Sequence, residues 1–220
     1  MHRKRFSPRL GVSAVCLFFV LSALAAPEID IPALKVEVSK IRALGFKREF
    51  AFAALTKEEL KKVLAEEIDR EAAPEEFRFA RDLYAKLGLL KADCDLKETY
   101  LKLVGDQVGG IYLPKRGSLH YVTDFGGMAL PILSHEIGHA LQDQHWPIDE
   151  RDARLKGNSD KSLAYHSVVE GDAMELMNDY MKANPGSVPT DPKELMKMMG
   201  GTLSSLDAPE VLMSGMTMPY

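Results

Sequence analysis

Two histidines and a glutamate stand close together near the middle of the chain, where residues 135–139 read HEIGH. The surrounding residues 130–144 have the pattern of a helix, and residues four apart lie on one helical face. His135 and His139 can therefore converge on one ion, and zinc accepts two imidazoles, a third protein ligand and a water molecule. Glu136 lies where a general base for that water would stand. The pattern predicts a hydrolytic Zn²⁺ site, although so short a motif also arises by chance.

Glu170 is the first candidate for the third ligand, in a segment, residues 168–173, that reads VVEGDA. A carboxylate within an otherwise apolar helix face needs a partner, because burying an unpaired charge costs on the order of several kcal/mol. Zinc would be that partner, and the small residues Gly171 and Ala173 would let this helix approach the first one closely. The alternative is an ion pair with a Lys or Arg at the surface.

His145 is the second candidate, because residues 135–145 read HEIGHALQDQH and place three histidines at the spacing of the metzincin pattern HExxHxxGxxH. Metzincins have glycine where this chain has Gln142, and that glycine lets the chain turn sharply out of the helix. If the helix continues through Gln142, His145 lies about 240° around the axis from His139 and points away from the ion. The sequence therefore favours Glu170.

The first 25 residues have the organisation of a secretory signal peptide. Four Lys/Arg and no acid lie in residues 2–9, an apolar run fills residues 10–24, and Ala23 and Ala25 supply small residues at a cleavage site. We therefore predict a secreted or periplasmic protein, cleaved near Ala25, with no stable membrane association afterwards. An uncleaved anchor is the alternative.

The predicted mature chain is acidic and has one cysteine. Removing the four Lys/Arg of residues 1–25 leaves 24 basic residues against 32 acidic ones, a net charge of about −8, which argues against a nucleic-acid partner. Cys94 alone remains, so no internal disulfide can form. Stability must come from an apolar core, with a contribution from any bound metal.

Residues before 105 read as helices. Residues 32–44 form an amphipathic pattern that stops at Gly45, and Phe50 and Phe52 alternate with smaller residues as in a short strand. A capping box opens a helix at Thr56 and another at Asp95, while a third helix runs from Pro74 to Gly88. That third helix is expected to turn four residues inward: Phe77, Ala80, Tyr84 and Leu87.

The remaining chain predicts a hairpin and two more helices. Residues 111–113 and 119–122 are β-type runs around a turn with Gly117, so a peptide substrate could lie along the 111–122 hairpin by strand addition; alternatively the hairpin only covers the core. Residues 148–159 are predicted to be a loop, and residues 162–181 a helix. A Met-rich helix is expected at residues 190–199. The inward stripe predicted for residues 162–181 is Val169, Ala173, Leu176 and Tyr180.

These elements predict an α+β fold that is mostly α-helical. Its zincin-like core would contain the HExxH helix, a second ligand-bearing helix and a short β-hairpin or small sheet. We divide the chain into a signal peptide (1–25), an N-terminal helical region (26–104) and a zincin-like catalytic region (105–220).

HExxH followed by a glutamate ligand on the next helix resembles the gluzincin pattern of thermolysin-like and smaller zinc metallopeptidases. The longer run, residues 135–145, resembles the HELTHALQDQH-type signature of secreted bacterial proteins related to minigluzincins. That group also has a GxYxP-like hairpin, an EGxA segment and a later Pro-Tyr, and this chain has GIYLP at 110–114, EGDA at 170–173 and PY at 219–220. The resemblance implies a metallopeptidase with Zn²⁺ on His135, His139 and Glu170 and with Glu136 as the base.

Two departures from these families bear on the site. Thermolysin-like enzymes orient a histidine with an Asp four residues after the glutamate ligand, but this chain has Met174 there, so Asp172 or Asp143 is expected to take that role. Members of the minigluzincin-related group continue beyond Pro-Tyr, which leaves truncation at the carboxyl end as an alternative.

The sequence leaves the roles of three further side chains open. His166 and Tyr165 are candidates to stabilise the oxyanion, with packing as the alternative, and His120 has no assigned role. A competing class of protein is a secreted, non-catalytic helical binding or structural module with structural zinc or none.

Overall fold

A computed structural model describes residues 29–123, 126–155, 157–188 and 191. The predicted signal peptide, the Met-rich helix beyond residue 191 and the Pro-Tyr segment lie outside these ranges. Within the ranges, no helix combines the length and the apolar character that a membrane span requires.

The described chain contains seven α-helices and three β-strands. In chain order they are α1 (Ile31–Arg42), β1 (Ala51–Leu55), α2 (Lys57–Glu71), α3 (Pro74–Lys86), α4 (Leu96–Gln107), β2 (Gly110–Leu113), β3 (Ser118–Val122), α5 (Ala129–His145), α6 (Ile148–Ala153) and α7 (Ser159–Ala183). The expected α+β fold, mostly α-helical with a small sheet, is confirmed.

The predicted hairpin forms the larger part of a three-stranded sheet with strand order β1-β3-β2. β2 runs antiparallel to β3, and the turn between them ends at Gly117, whose positive φ of 57° suits glycine. β1 pairs with β3 in parallel, so that Ala51 lies opposite Ser118 and Leu55 opposite Val122. β3 is therefore the central strand, and β2 is an edge strand among the described residues.

Two apolar clusters lie on opposite faces of the sheet. The smaller joins Leu60 and Leu64 of α2 to Val122 of β3. The larger joins α1, α5 and α7 to the other sheet face, because Leu119 and Tyr121 alternate with Val122 along β3. Its members are Ile31, Leu34, Val38, Phe50, Tyr112, Leu119, Tyr121, Leu133, Ile137, Ala140, Leu141, Leu176 and Tyr180. The HExxH helix, α5, is therefore packed between α1, α7 and the sheet.

Local signals at helix ends are largely confirmed. The capping box of α2 is complete, since the Thr56 hydroxyl accepts from the Glu59 N–H and the Glu59 carboxylate accepts from the Thr56 N–H. Asp95 accepts from the Glu98 N–H in the same way. α3 begins at Pro74 and is followed by Gly88 with a φ of 72°. These ends depend on neighbours a few residues away, which is why the sequence predicts them.

Three expectations are corrected. α1 ends at Arg42, with Ala43 in a left-handed conformation, before Gly45 is reached. Residues 148–153 form the short helix α6 in place of the expected loop. Phe77, Ala80 and Tyr84 are half-buried, in agreement with the expected inward face of α3, although no residue of that helix is fully buried by the described chain. Leu87, expected to face inward after that helix, is 63% exposed.

Candidate metal centre

α5 and α7 cross in close contact at the centre of the larger apolar cluster. A Cβ atom on Gly138 would lie 2.6 Å from Leu176 Cδ2 and 3.9 Å from the Cα of Ala173, so any side chain at position 138 would require the buried Leu176 to shift. The sequence pointed to Gly171 and Ala173 as the small residues. Ala173 is at the crossing, but Gly171 is exposed, and a Cβ atom added to it would meet no described atom within 4 Å. The close approach places the side chains of α7 beside those of α5.

Three predicted ligands meet beside this crossing. His135 Nε2 and His139 Nε2 are 3.0 Å apart, and Glu170 Oε2 lies 3.2 Å from the first and 3.4 Å from the second. The two imidazoles are nearly perpendicular, with an angle of 89° between the ring planes. The side chains of His135, His139 and Glu170 are only 10%, 12% and 23% exposed. One turn of α5 and the facing turn of α7 thus bring together two imidazole nitrogens and one carboxylate oxygen.

The electrostatics of this cluster fit a cation. Burial alone would raise the pKa of Glu170, but the adjacent imidazoles of His135 and His139 hold that pKa well below its usual range. Burial alone would lower the pKa of His139, yet Glu170 and Glu136 raise it to about 9. Glu170 Oε2 is buried without a conventional hydrogen bond to any described residue. A carboxylate held ionised between two imidazole nitrogens is a donor set that suits zinc, so the residues fit such an ion.

Glu136 is oriented by the edge strand β2. Its Oε2 accepts a hydrogen bond of 2.8 Å from the backbone N–H of Tyr112. Burial raises the pKa of Glu136, against the lowering effects of the two histidines and of that N–H. A carboxylate with a raised pKa, held beside the ligand cluster, has the properties of a general base.

His139 donates its orienting hydrogen bond to a residue that the sequence did not indicate. His139 Nδ1 lies 2.9 Å from Gln142 Oε1, on the ring edge away from the other two ligands. Gln142 Nε2 donates to Asp172 Oδ2 at 2.7 Å and to the Val169 carbonyl at 2.9 Å. Of the two acids expected to orient a histidine, Asp172 contacts His139 only through Gln142. The spacing of His139 and Gln142, three residues apart on one helix, could have indicated this contact.

Asp143, the other expected acid, has different partners. It is buried and accepts from the Tyr112 hydroxyl at 3.1 Å and from the Ile148 N–H at 3.1 Å, with Arg48 at 3.5 Å. Burial and the Asp143 charge raise the pKa of Tyr112 well above its usual range. Asp143 therefore ties α5 to β2 and α6, and its carboxylate does not orient His139.

His145 lies away from the ligand cluster. α5 continues through Gln142 as a helix, and His145 Nε2 lies 2.8 Å from the Gly45 carbonyl in the segment after α1. This placement agrees with the rotation expected for an uninterrupted helix.

The remaining candidates face other partners. His166 Nε2 lies 3.0 Å from Asp152 Oδ1 near α6, and its side chain is 45% exposed. Tyr165 borders a cavity on the far side of Gln142, and burial raises the pKa of its hydroxyl. His120 Nε2 lies 3.1 Å from Ser118 Oγ, while burial and then Arg116 lower its pKa. The structure therefore does not bring these three side chains together with the ligand cluster.

Comparison with protein-family models, with curated proteins and with solved structures returns no match for this chain. The gluzincin resemblance therefore stays a prediction based on the motifs, and the site has to be interpreted from its own geometry.

Proposed function

We propose that the chain is an exported zinc metallopeptidase that hydrolyses peptide bonds. The observation that supports this most strongly is the convergence of His135, His139 and Glu170 next to the partly buried carboxylate of Glu136. Two imidazoles and one carboxylate on two crossing helices are the ligands of many hydrolytic zinc sites. The convergence alone also suits a structural metal, whereas the orientation of Glu136 favours catalysis.

Each of these residues has a defined task in the proposed reaction. His135, His139 and Glu170 would hold Zn²⁺, which supplies Lewis-acid polarisation and lowers the pKa of water. Glu136 accepts a proton from the attacking water and delivers it to the leaving amine. Its raised pKa suits both transfers, because a base that is too weakly basic cannot take the proton. The Tyr112 N–H keeps the carboxylate in position during both steps.

The peptide substrate is placed along β2. β3 has neighbours on both sides, so within the 111–122 hairpin only β2 lies at an edge of the described sheet. The Tyr112 N–H points from that edge toward Glu136, which puts the edge beside the proposed catalytic base. An extended peptide that pairs with the edge would run past the site with its main chain hydrogen bonded. This narrows the predicted contact from the whole hairpin to its first strand.

Glu136→Gln is the decisive test. The amide keeps the size of the side chain but cannot accept the proton, so peptide cleavage should fall by about 10²- to 10⁴-fold while zinc stays bound. Cleavage of a mixed peptide library, with and without a chelator, and zinc content by mass spectrometry measure the two effects. Undiminished turnover would contradict the role of Glu136. Zinc without any wild-type cleavage would favour the alternative, a structural zinc module.

The ligand assignment is tested by a matched pair, Glu170→Ala and His145→Ala. The first should remove zinc because a ligand is lost, while the second should retain it because His145 bonds to Gly45. Zinc stoichiometry on the purified proteins decides between them. If only the His145 change strips the metal, the metzincin-like assignment is correct.

A further inference from the structure

We propose that Gln142, Asp172 and Arg42 form a hydrogen-bonded relay that positions the His139 imidazole for metal binding. The inference rests on the proposed function, because the relay acts on a ligand of the same metal centre. The three residues come from α5, α7 and the last position of α1. The relay therefore assigns the N-terminal helix a part in the site.

The first link fixes the tautomer of His139. Gln142 Nε2 faces the Val169 carbonyl and the Asp172 carboxylate, which can only accept, so the amide must present its NH₂ to them and its oxygen to His139. The oxygen accepts from His139 Nδ1–H at 2.9 Å. In the neutral imidazole that binds a metal, the Nε2 lone pair is then left facing His135 and Glu170, as a ligand requires.

The second link is the ion pair between Asp172 and Arg42, at the end of the relay away from His139. Asp172 uses Oδ2 for Gln142 and Oδ1 for Arg42, whose Nη2 lies 2.5 Å away. The two side chains are 35% and 32% exposed, so this pair is less shielded from solvent than the ligand cluster. Arg42 holds the carboxylate in the orientation that Gln142 needs, and α1 itself is fixed by packing against α5 and α7.

The other histidine lacks such support. His135 Nδ1 is buried without a hydrogen-bond partner among the described residues, whereas His139 Nδ1 has one. Partners on the outer nitrogen of a ligating imidazole fix its tautomer and ring plane and raise its basicity, and their removal costs about 10- to 100-fold in metal affinity. We therefore assign Gln142 as a positioning residue, with Asp172 and Arg42 acting through it.

Gln142→Ala and Gln144→Ala make a matched pair of variants. Both glutamines lie on α5 and are similarly buried, at 8% and 6% exposed. Gln144 bonds to the backbone of Lys47 and Arg48, away from the ligand cluster, so its loss should lower stability and leave the metal site alone. Zinc affinity, measured by competition with a chromophoric chelator, should fall about 10- to 100-fold for Gln142→Ala and by less than about threefold for Gln144→Ala.

Moving the negative charge from position 172 to position 142 should restore zinc affinity that a single substitution loses. Simple loss of structure does not predict such a recovery. Gln142→Glu puts a second carboxylate against Asp172 and should weaken zinc binding. Adding Asp172→Asn replaces that repulsion with an amide donor, so Gln142→Glu/Asp172→Asn should regain a large part of the lost affinity. Asp172 borders a cavity of about 290 Å³, which leaves room for its substitution. The ¹⁵N spectrum of the zinc-bound protein should also show His139 protonated at Nδ1, and this signal should change in Gln142→Ala.

The outcomes separate the relay from the proposed function. Wild-type zinc affinity in Gln142→Ala, an equal loss in Gln144→Ala, or no recovery in the double variant would each overturn the relay while peptide cleavage could still be found. Relay-dependent zinc binding without cleavage would support the relay and contradict the peptidase. Absence of zinc binding by the wild-type chain would overturn both.

Discussion

α5 and α3 are both predicted as helices from the sequence, yet they differ in how far other elements cover them. Eleven of the 17 residues of α5 are buried, so its polar side chains must find partners inside the protein. α3 has no residue buried by the described chain, and Phe79 and Leu83 are 71% and 44% exposed. On α3 the Arg81 side chain pairs with its sequence neighbour Asp82, whereas α5 holds its histidines and glutamines in contacts with other elements. The difference shows why packing on several sides is a condition for the candidate site.

The largest difference in unfolding free energy is expected between Ile137→Ala in α5 and Phe79→Ala in α3. Ile137 is 0% exposed within the larger cluster, so its truncation should cost about 2–5 kcal/mol of unfolding free energy through lost burial and a cavity. Phe79 is largely exposed, and its truncation should change stability by no more than about 0.5 kcal/mol. Urea unfolding followed by circular dichroism measures both. Similar losses for the two variants would show that α3 is packed in solution.

A smaller effect is expected from Gly138→Ala, with Gly171→Ala as its control. The new methyl group at position 138 would press on the buried Leu176, and such overpacking costs about 1–3 kcal/mol, more than the gain of about 1 kcal/mol in helix propensity. At exposed position 171 only that gain applies, so the control should be slightly stabilised. Thermal unfolding should show a lower melting temperature for Gly138→Ala and a slightly higher one for Gly171→Ala. Stabilisation by both substitutions would contradict the close crossing of α5 and α7.

The smallest effect concerns the capping box of α2, a helix outside the larger apolar cluster. Thr56→Ala removes the hydroxyl that accepts from the Glu59 N–H and should cost about 1 kcal/mol. Thr56→Ser keeps a hydroxyl and is the control. Because α2 lies on the sheet face away from α5, zinc affinity should not change in either variant. A loss of zinc affinity in Thr56→Ala would show that the two faces of the sheet are coupled.

Sequence reasoning predicts features whose causes are local. The HExxH spacing, the Thr56 capping box and the end of α3 before Gly88 depend on residues within about one or two helical turns. The pairing of β1 with β3 is not predicted, because the partners are distant in sequence and no periodicity encodes a parallel neighbour. The inward orientation expected for Leu87 rests on periodicity alone, which does not reveal whether another element covers that face.

Within the candidate site, too, the features with local causes are predicted and those that depend on distant residues are not. His135, His139 and Glu170 come together as predicted, since two of them share a helix and the third is a carboxylate on an otherwise apolar helix face. The roles of Gln142 and Gly138 depend on how α7 crosses α5, which the sequence of either helix alone does not contain. In the sequence Gln142 is only a mismatch to the metzincin glycine, although its amide occupies the space between the two helices.

The bond from the Tyr112 N–H to Glu136 has a consequence for how freely position 112 can vary. The donor belongs to the main chain, so every amino acid except proline supplies it. Substitution of Tyr112 would thus remove the hydrogen bond from its hydroxyl to Asp143 but preserve the alignment of the Glu136 carboxylate. Tolerance of many side chains at position 112, with selective intolerance of proline, is the mutational signature of such a contact.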